Sequence, residues 1–142
     1  MEALSLLAKK HLSQRVVNPG DAVMFDIDDT LIYSSTGYPI HEMVELLHTS
    51  RMLGYEIVII TARSGDLLNM ELTTQQLHIF GITPDKIFYT PPDRKDDVKV
   101  KTSLNYILSV GDQWTDLGNS EWWIKLPPNG IGNEGFTNMR VN

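Results

Sequence analysis

An α/β fold, with a mostly parallel sheet covered by helices on both faces, is predicted by three features of this chain. Short apolar, β-branched runs recur at residues 22–27 (AVMFDI), 56–60 (EIVII) and 106–110 (YILSV). Segments with helical spacing of apolar residues lie between them. Glycine and proline punctuate the joints. Strands alternating with helices favour parallel pairing through crossover connections.

The elements follow in order. Leu4, Leu7, Ala8, Leu12 and Val16 have helical spacing, so the opening reads as an amphipathic helix. Asn18-Pro19-Gly20-Asp21 is a turn, and residues 22–27 form the first strand. Residues 31–40 are polar and turn-rich after Ile32. Met43, Val44, Leu46, Leu47 and Leu53 predict a helix over 41–53, with Gly54 as its stop. Residues 56–60 are the clearest strand. A helix is expected over 66–80, a strand over 86–89, and a short helix over 98–105 after the Pro91-Pro92 break. Residues 106–110 are the fourth strand, 115–119 a helical turn and 122–126 (WWIKL) the fifth strand. Arg94-Lys95-Asp96-Asp97 reads as a solvated turn, and the Gly- and Asn-rich tail after Pro128 as irregular.

The 142 residues suit one domain, 1–142, with one hydrophobic core. An apolar fraction of 42% argues against disorder. The absence of cysteine excludes disulfides, thiolate zinc sites and cysteine nucleophiles. A net charge of -6 disfavours non-specific binding to nucleic-acid backbones. No apolar run approaches the length of a membrane span, and the opening lacks the charge order of a secretion signal. A cytoplasmic protein with no membrane partner is therefore expected.

In a parallel sheet, ligands bind beyond the carboxyl ends of the strands. Those ends carry Asp26 and Asp28, Thr61 and Arg63, and Asp112. Asp26, Asp28 and Asp29 place three acids within four residues at the end of a buried strand. Burying them together is costly unless something positive joins them, and a hard divalent cation such as Mg2+ answers that need. An acidic turn or a helix cap is the plainer alternative. Thr30 is read as structural. Trp114, Trp122 and Trp123 are expected in the core or on a sheet face, with Trp114 best placed to line a site. His11, His41, His48 and His78 have no convincing ligand spacing.

The pattern Asp26-x-Asp28-x-Thr30 after an apolar strand resembles the first motif of the haloacid dehalogenase-like superfamily. Ile59-Ile60-Thr61 resembles the second, Lys101 the third, and Gly111-Asp112-Gln113-Trp114-Thr115-Asp116 the fourth. The resemblance spans about residues 22–126. Thr61-Ala62-Arg63, Val100-Lys101-Thr102 and Lys125-Leu126-Pro127 bring it nearest to the acid phosphatase branch that includes plant vegetative storage proteins. This chain departs from that branch in lacking a secretion signal and a long N-terminal region.

The resemblance implies a Rossmann-like three-layer sandwich with strand order 5-4-1-2-3. It also implies a phosphatase in which Asp26 is the nucleophile and Asp28 the general acid and base. Thr61 and Lys101 would bind the phosphoryl group, with Lys99 the competing lysine and Arg63 a further candidate. Asp26, Asp28 (through its carbonyl), Asp112 and Asp116 would form the magnesium shell, Asp116 either directly or by orienting the lysine. Residues 31–40, with Tyr33 and Tyr38, fall where the superfamily has a mobile flap. The gaps from Thr30 to Thr61 and from Thr61 to Lys101 are too short for a cap domain, so an open site is expected.

The expected activity is hydrolysis of small phosphate esters, nucleotides included. A polynucleotide or protein phosphatase is the enzymatic alternative, and a non-catalytic phosphate-binding or storage protein the other. Oligomeric state and the role of residues 130–142 are not legible in the sequence.

Overall fold

The computed structural model describes residues 1–128 and 138–141. Helix α1 (Glu2–Ser13) leads into β1 (Asp21–Phe25), α2 (His41–Met52), β2 (Glu56–Thr61), α3 (Leu67–Ile79) and β3 (Lys86–Tyr89). A 3-10 turn (Pro92–Arg94) runs into α4 (Lys95–Thr102). Then come β4 (Asn105–Gly111), a second 3-10 turn (Trp114–Asp116), β5 (Trp122–Lys125) and β6 (Asn138–Val141).

The sheet order is β3-β2-β1-β4-β5-β6. The first five strands are parallel, which is the expected order read from the other edge. Strand β6 pairs antiparallel with β5. The irregular tail expected after Pro128 therefore includes a strand at 138–141; the rest of it lies outside the described residues.

Alternation along β1 and β2 divides the core. Val23 and Phe25 of β1 and Ile57 and Ile59 of β2 face a large cluster that includes Ala8 and Leu12 of α1, Met43, Leu46 and Leu47 of α2, and Leu77 of α3. Ala22, Met24, Val58 and Ile60 face the other side, where Val98 of α4 packs. Every residue of β1 is buried, as expected for a strand flanked on both edges and both faces. Leu7 and Val16, grouped with the apolar face of the first helix, are exposed. Ser5 takes an inner position, donating to the carbonyl of Glu42.

One element starts earlier than its apolar residues indicate. Helix α4 begins at Lys95, so Arg94-Lys95-Asp96-Asp97 is a helix entry and not a solvated turn. Asp96 and Asp97 occupy its first turn, where the partial positive charge of the helix N-terminus favours acids. Its buried positions are Lys95 and Lys99, spaced i, i+4. Apolar periodicity registers Val98 on the inner face but not the two buried lysines beside it.

Among the described residues, no helix is long and apolar enough to cross a membrane.

Candidate active site

Strands β1, β2 and β4 end side by side, and the loops after them form an open cleft of about 380 Å³. Asp26, Asp28, Arg63, Asp112 and Gln113 line it. A larger cavity, about 790 Å³, lies at the opposite end of the sheet beside Asp21, Glu56 and Lys86. Its charges are mutually engaged: Arg51 with Asp85 and the Thr83 carbonyl, and Lys86 with Glu56. The smaller cleft is where the candidate residues meet.

Asp26 follows directly on β1, and its N–H donates to the Val110 carbonyl of β4 at 3.1 Å. The first strand therefore delivers this carboxylate into the interior, 7% exposed. Carboxylate oxygens of Asp26, Asp112 and Asp116 all lie within 4.8 Å of one another, a spacing a metal ion can span. Lys95 reaches in from α4 and donates to Asp26 Oδ1 at 3.0 Å and to Asp116 Oδ1 at 2.6 Å. Burial, and then the Asp116 charge, push the Asp26 carboxyl well above its usual range despite Lys95. Burial alone would lower Lys95, but the Asp26 and Asp116 charges prevail and raise it. Burial thus works with the neighbouring acid charge on Asp26 and against it on Lys95, where the acids prevail.

Asp116 is fully buried, and its Oδ2 also accepts the Gln113 N–H at 3.1 Å. The Gln113 and Asp116 side chains cap the short turn reciprocally. Gly111 makes this possible, because a Cβ there would stand 2.2 Å from Asp116 Oδ2. Thus the Gly111-Asp112 pair supplies an acid and the empty space that admits a second acid four residues later.

The expected lysine is corrected. Lys101 is exposed in the last turn of α4 and does not reach Asp26. Lys95 contacts the nucleophile candidate instead. Lys99, the other candidate, is buried and donates to Ser109 Oγ at 3.0 Å and to the carbonyls of Asp116 and Gly118, both at 2.6 Å. It ties the loop carrying Asp116 to β4, and burial draws its ammonium down to about 8.

The Asp28 carboxylate is engaged outside the acid cluster, which leaves untouched the expectation that its backbone carbonyl faces the metal. Its carboxylate is held by Arg63, with Nη2 to Oδ1 at 2.8 Å and Nε to Oδ2 at 3.0 Å. It is not one of the acids grouped with Asp26. Arg63 is further fixed by Gln76 Oε1 at 2.7 Å and Thr73 Oγ1 at 3.3 Å. Arg63 therefore pairs with Asp28, while Asp66 caps α3 by accepting from the Asn69 N–H.

Thr61 ends β2, buried, with its Oγ1 accepting the Arg63 N–H at 3.1 Å. Asp29, the third acid of the first motif, adopts a left-handed φ of 58°, a conformation aspartate tolerates better than most residues. Its carboxylate accepts from the Ser34 N–H and hydroxyl, which fastens the flap segment to the strand end. Thr30 holds the loop through its N–H to the Ile27 carbonyl, while its buried hydroxyl has no hydrogen-bond partner.

No family model and no curated protein matches this chain.

The aromatic expectations divide. Trp123 is buried and Trp122 half-buried, whereas Trp114 is 59% exposed. Tyr33 packs partly on the core, and Tyr38 is exposed at the flap. His11 lies tilted against Trp122, with ring centroids 4.0 Å apart and planes at 41°. Among the described residues, the one group spaced for a metal contains no histidine.

Sequence reasoning missed Lys95. The signal available was the Pro91-Pro92 break followed by two acids, which marks a helix entry. Carried inward from that entry, i, i+4 spacing pairs Lys95 with Lys99.

Proposed function

We propose that this chain is a magnesium-dependent phosphomonoester hydrolase of small phosphate esters that carries the phosphoryl group on Asp26. The observation behind this reading is the gathering of Asp26, Asp112 and Asp116 at the strand ends, with the Lys95 ammonium on Asp26 and Asp116. Asp26 and Asp116, when fully ionised, share the single Lys95 ammonium, and burial makes that deficit of positive charge costly.

A hard dication with oxygen ligands fits that deficit. Asp26 and Asp112 would hold it, with Asp116 braced against Lys95 beside them. When bound, such an ion draws charge from phosphoryl oxygens and lessens their repulsion of the nucleophile.

In the first half-reaction an Asp26 oxygen attacks phosphorus, and the bond from phosphorus to the ester oxygen breaks. The alcohol leaves with a proton, and the phosphoryl group stays on Asp26 as an acyl phosphate. In the second half-reaction water attacks that phosphorus and its bond to Asp26 breaks. Inorganic phosphate departs, and the proton lost by water returns to the acid–base group.

Lys95 offsets the charge of nucleophile and phosphoryl group together. Thr61, whose Oγ1 already accepts the Arg63 N–H, keeps an O–H to donate to a phosphoryl oxygen. Asp28 is the acid–base group of this scheme. Both of its oxygens accept guanidinium N–H bonds from Arg63, so it must leave at least one of them to hand over a proton.

The test is a screen of nucleotides and sugar phosphates with Mg2+, with phosphate release as readout. Turnover by the native protein and none by Asp26→Asn is the expected result. Undiminished release by that variant overturns the nucleophile assignment.

A further inference from the structure

Trp114 has an environment that neither the fold nor the acid cluster explains. It is a large aromatic side chain, yet 59% exposed. It stands between Gln113, which lines the cleft with Asp26 and Asp112, and Thr115-Asp116 on the turn whose last residue belongs to the acid cluster. Trp114 directly follows the lining residue Gln113, so the loop that edges this open cleft also carries an exposed indole.

The ring is also held in place. Trp123, buried in β5, meets it edge to face, with centroids 5.2 Å apart and planes at 77°. The buried Lys125 ammonium lies 5.6 Å from its centroid. The capping of the turn by Gln113 and Asp116 fixes the backbone beneath it. A surface tryptophan with no binding role gains little from such bracing. A stacking platform gains a great deal, because a ring already ordered loses less freedom when a partner arrives.

We infer that Trp114 is the stacking platform for the base of a nucleoside phosphate whose phosphate sits at Asp26. This deepens the phosphatase reading and takes from it only the position of the phosphate. Stacking on an indole suits any planar heterocycle and requires no base-edge hydrogen bonds, so purines and pyrimidines are both accepted. Aliphatic phosphates lack a face to offer and gain nothing from the ring.

The experiment compares adenosine 5′-monophosphate with ribose 5-phosphate by calorimetric titration in the presence of Mg2+. The Asp26→Asn background keeps the ligands intact. It is run with Trp114 unchanged, with Trp114→Phe and with Trp114→Ala, each first verified as folded by its melting transition. The nucleotide is expected to bind about tenfold more tightly than the sugar phosphate, the scale of one base–aromatic stack. That ratio should survive in Trp114→Phe and fall to near one in Trp114→Ala.

A ratio of one with Trp114 intact, or a ratio kept in Trp114→Ala, overturns the platform while leaving the phosphate site standing. Failure of both ligands to bind overturns the platform and the phosphate site together. Trp114-dependent nucleotide binding by a native protein that hydrolyses no ester supports the platform and defeats only the phosphatase reading.

Discussion

The Lys95 ammonium lies 2.6 Å from the Asp116 carboxylate, and the same nitrogen reaches Asp26 at 3.0 Å. One cation thus serves two buried acids from different loops, and it enters from a helix on the far side of the sheet from α1 and α2. Lys95→Met should lower kcat/KM by roughly 10²–10³-fold, as loss of a preorganised charge does. It should also destabilise the fold by about 3–5 kcal/mol, because it strands buried carboxylates. Lys101→Met, on the exposed side of the same helix, should stay within about 0.5 kcal/mol of the native protein. Steady-state kinetics and denaturant melts of the pair check this, and the reverse ranking would restore Lys101 to the site.

The raised Asp26 carboxyl predicts a pH dependence of stability without metal. A carboxyl whose folded pKa exceeds its unfolded value binds a proton more tightly in the native state, so stability falls as pH rises through that interval. The interval opens near the ordinary value of 3.8 and extends to the raised one. In EDTA, Asp26→Asn should therefore melt above the native protein near neutral pH. The gap should narrow on acidification and close below the ordinary carboxylate range. Thermal melts across pH read it directly; a native protein gaining stability through that window would contradict the sign.

Magnesium should act on the same charge excess. An ion bound only by the folded state stabilises by about 2.7 kcal/mol at a hundredfold excess over its Kd. Melting temperature should climb with Mg2+ concentration, and Asp112→Asn should blunt the climb. An unchanged midpoint up to millimolar Mg2+ would remove the metal from this account.

Arg63 and Asp28 form a two-pronged pair across the ends of β2 and β1, partly open to water. A pair at that exposure contributes at most about 1 kcal/mol to stability. Its value lies in aiming Asp28. Arg63→Ala should leave the melt nearly unchanged while lowering kcat by about tenfold or more, and Arg63→Lys, with no fork, should recover little of it. A large loss of stability with intact kcat would make the pair purely structural.

Gly111→Ala should be far more damaging than its single methyl group suggests. The new Cβ would fall 2.2 Å from Asp116 Oδ2 and 2.5 Å from its Cγ, so Asp116 must leave Lys95 or β4 must shift. Overpacking of this kind costs typically 1–3 kcal/mol. Displacement of Asp116 should also show as weakened Mg2+ protection in the melt. A variant indistinguishable from the native protein in both respects would mean that Asp116 has room to move.

The sheet was legible because its signals are local. The β-branched run at 56–60 became β2 (Glu56–Thr61), residues 86–89 became β3 with the same bounds, and alternation of strand and helix implied parallel pairing. Asp26 and Asp112 were legible for the same reason: each directly follows a strand, and strand ends are where such sheets put ligands. The face of α4 was not legible. Its fully buried positions are lysines, and periodicity sees only apolar residues, so the reading began at Val98 and passed over Lys95. Nor did the sequence reveal that Asp28 is held by Arg63, because that pair spans 35 residues.

The chain by itself determined where acids meet strand ends, since backbone hydrogen bonding and apolar burial set strand bounds from neighbouring residues alone. Only the tertiary structure decided which cation each acid meets. A charge partner is chosen by distance across the fold, and several lysines near one another in sequence are equivalent until a helix turns two of them inward and sets which groups each one meets.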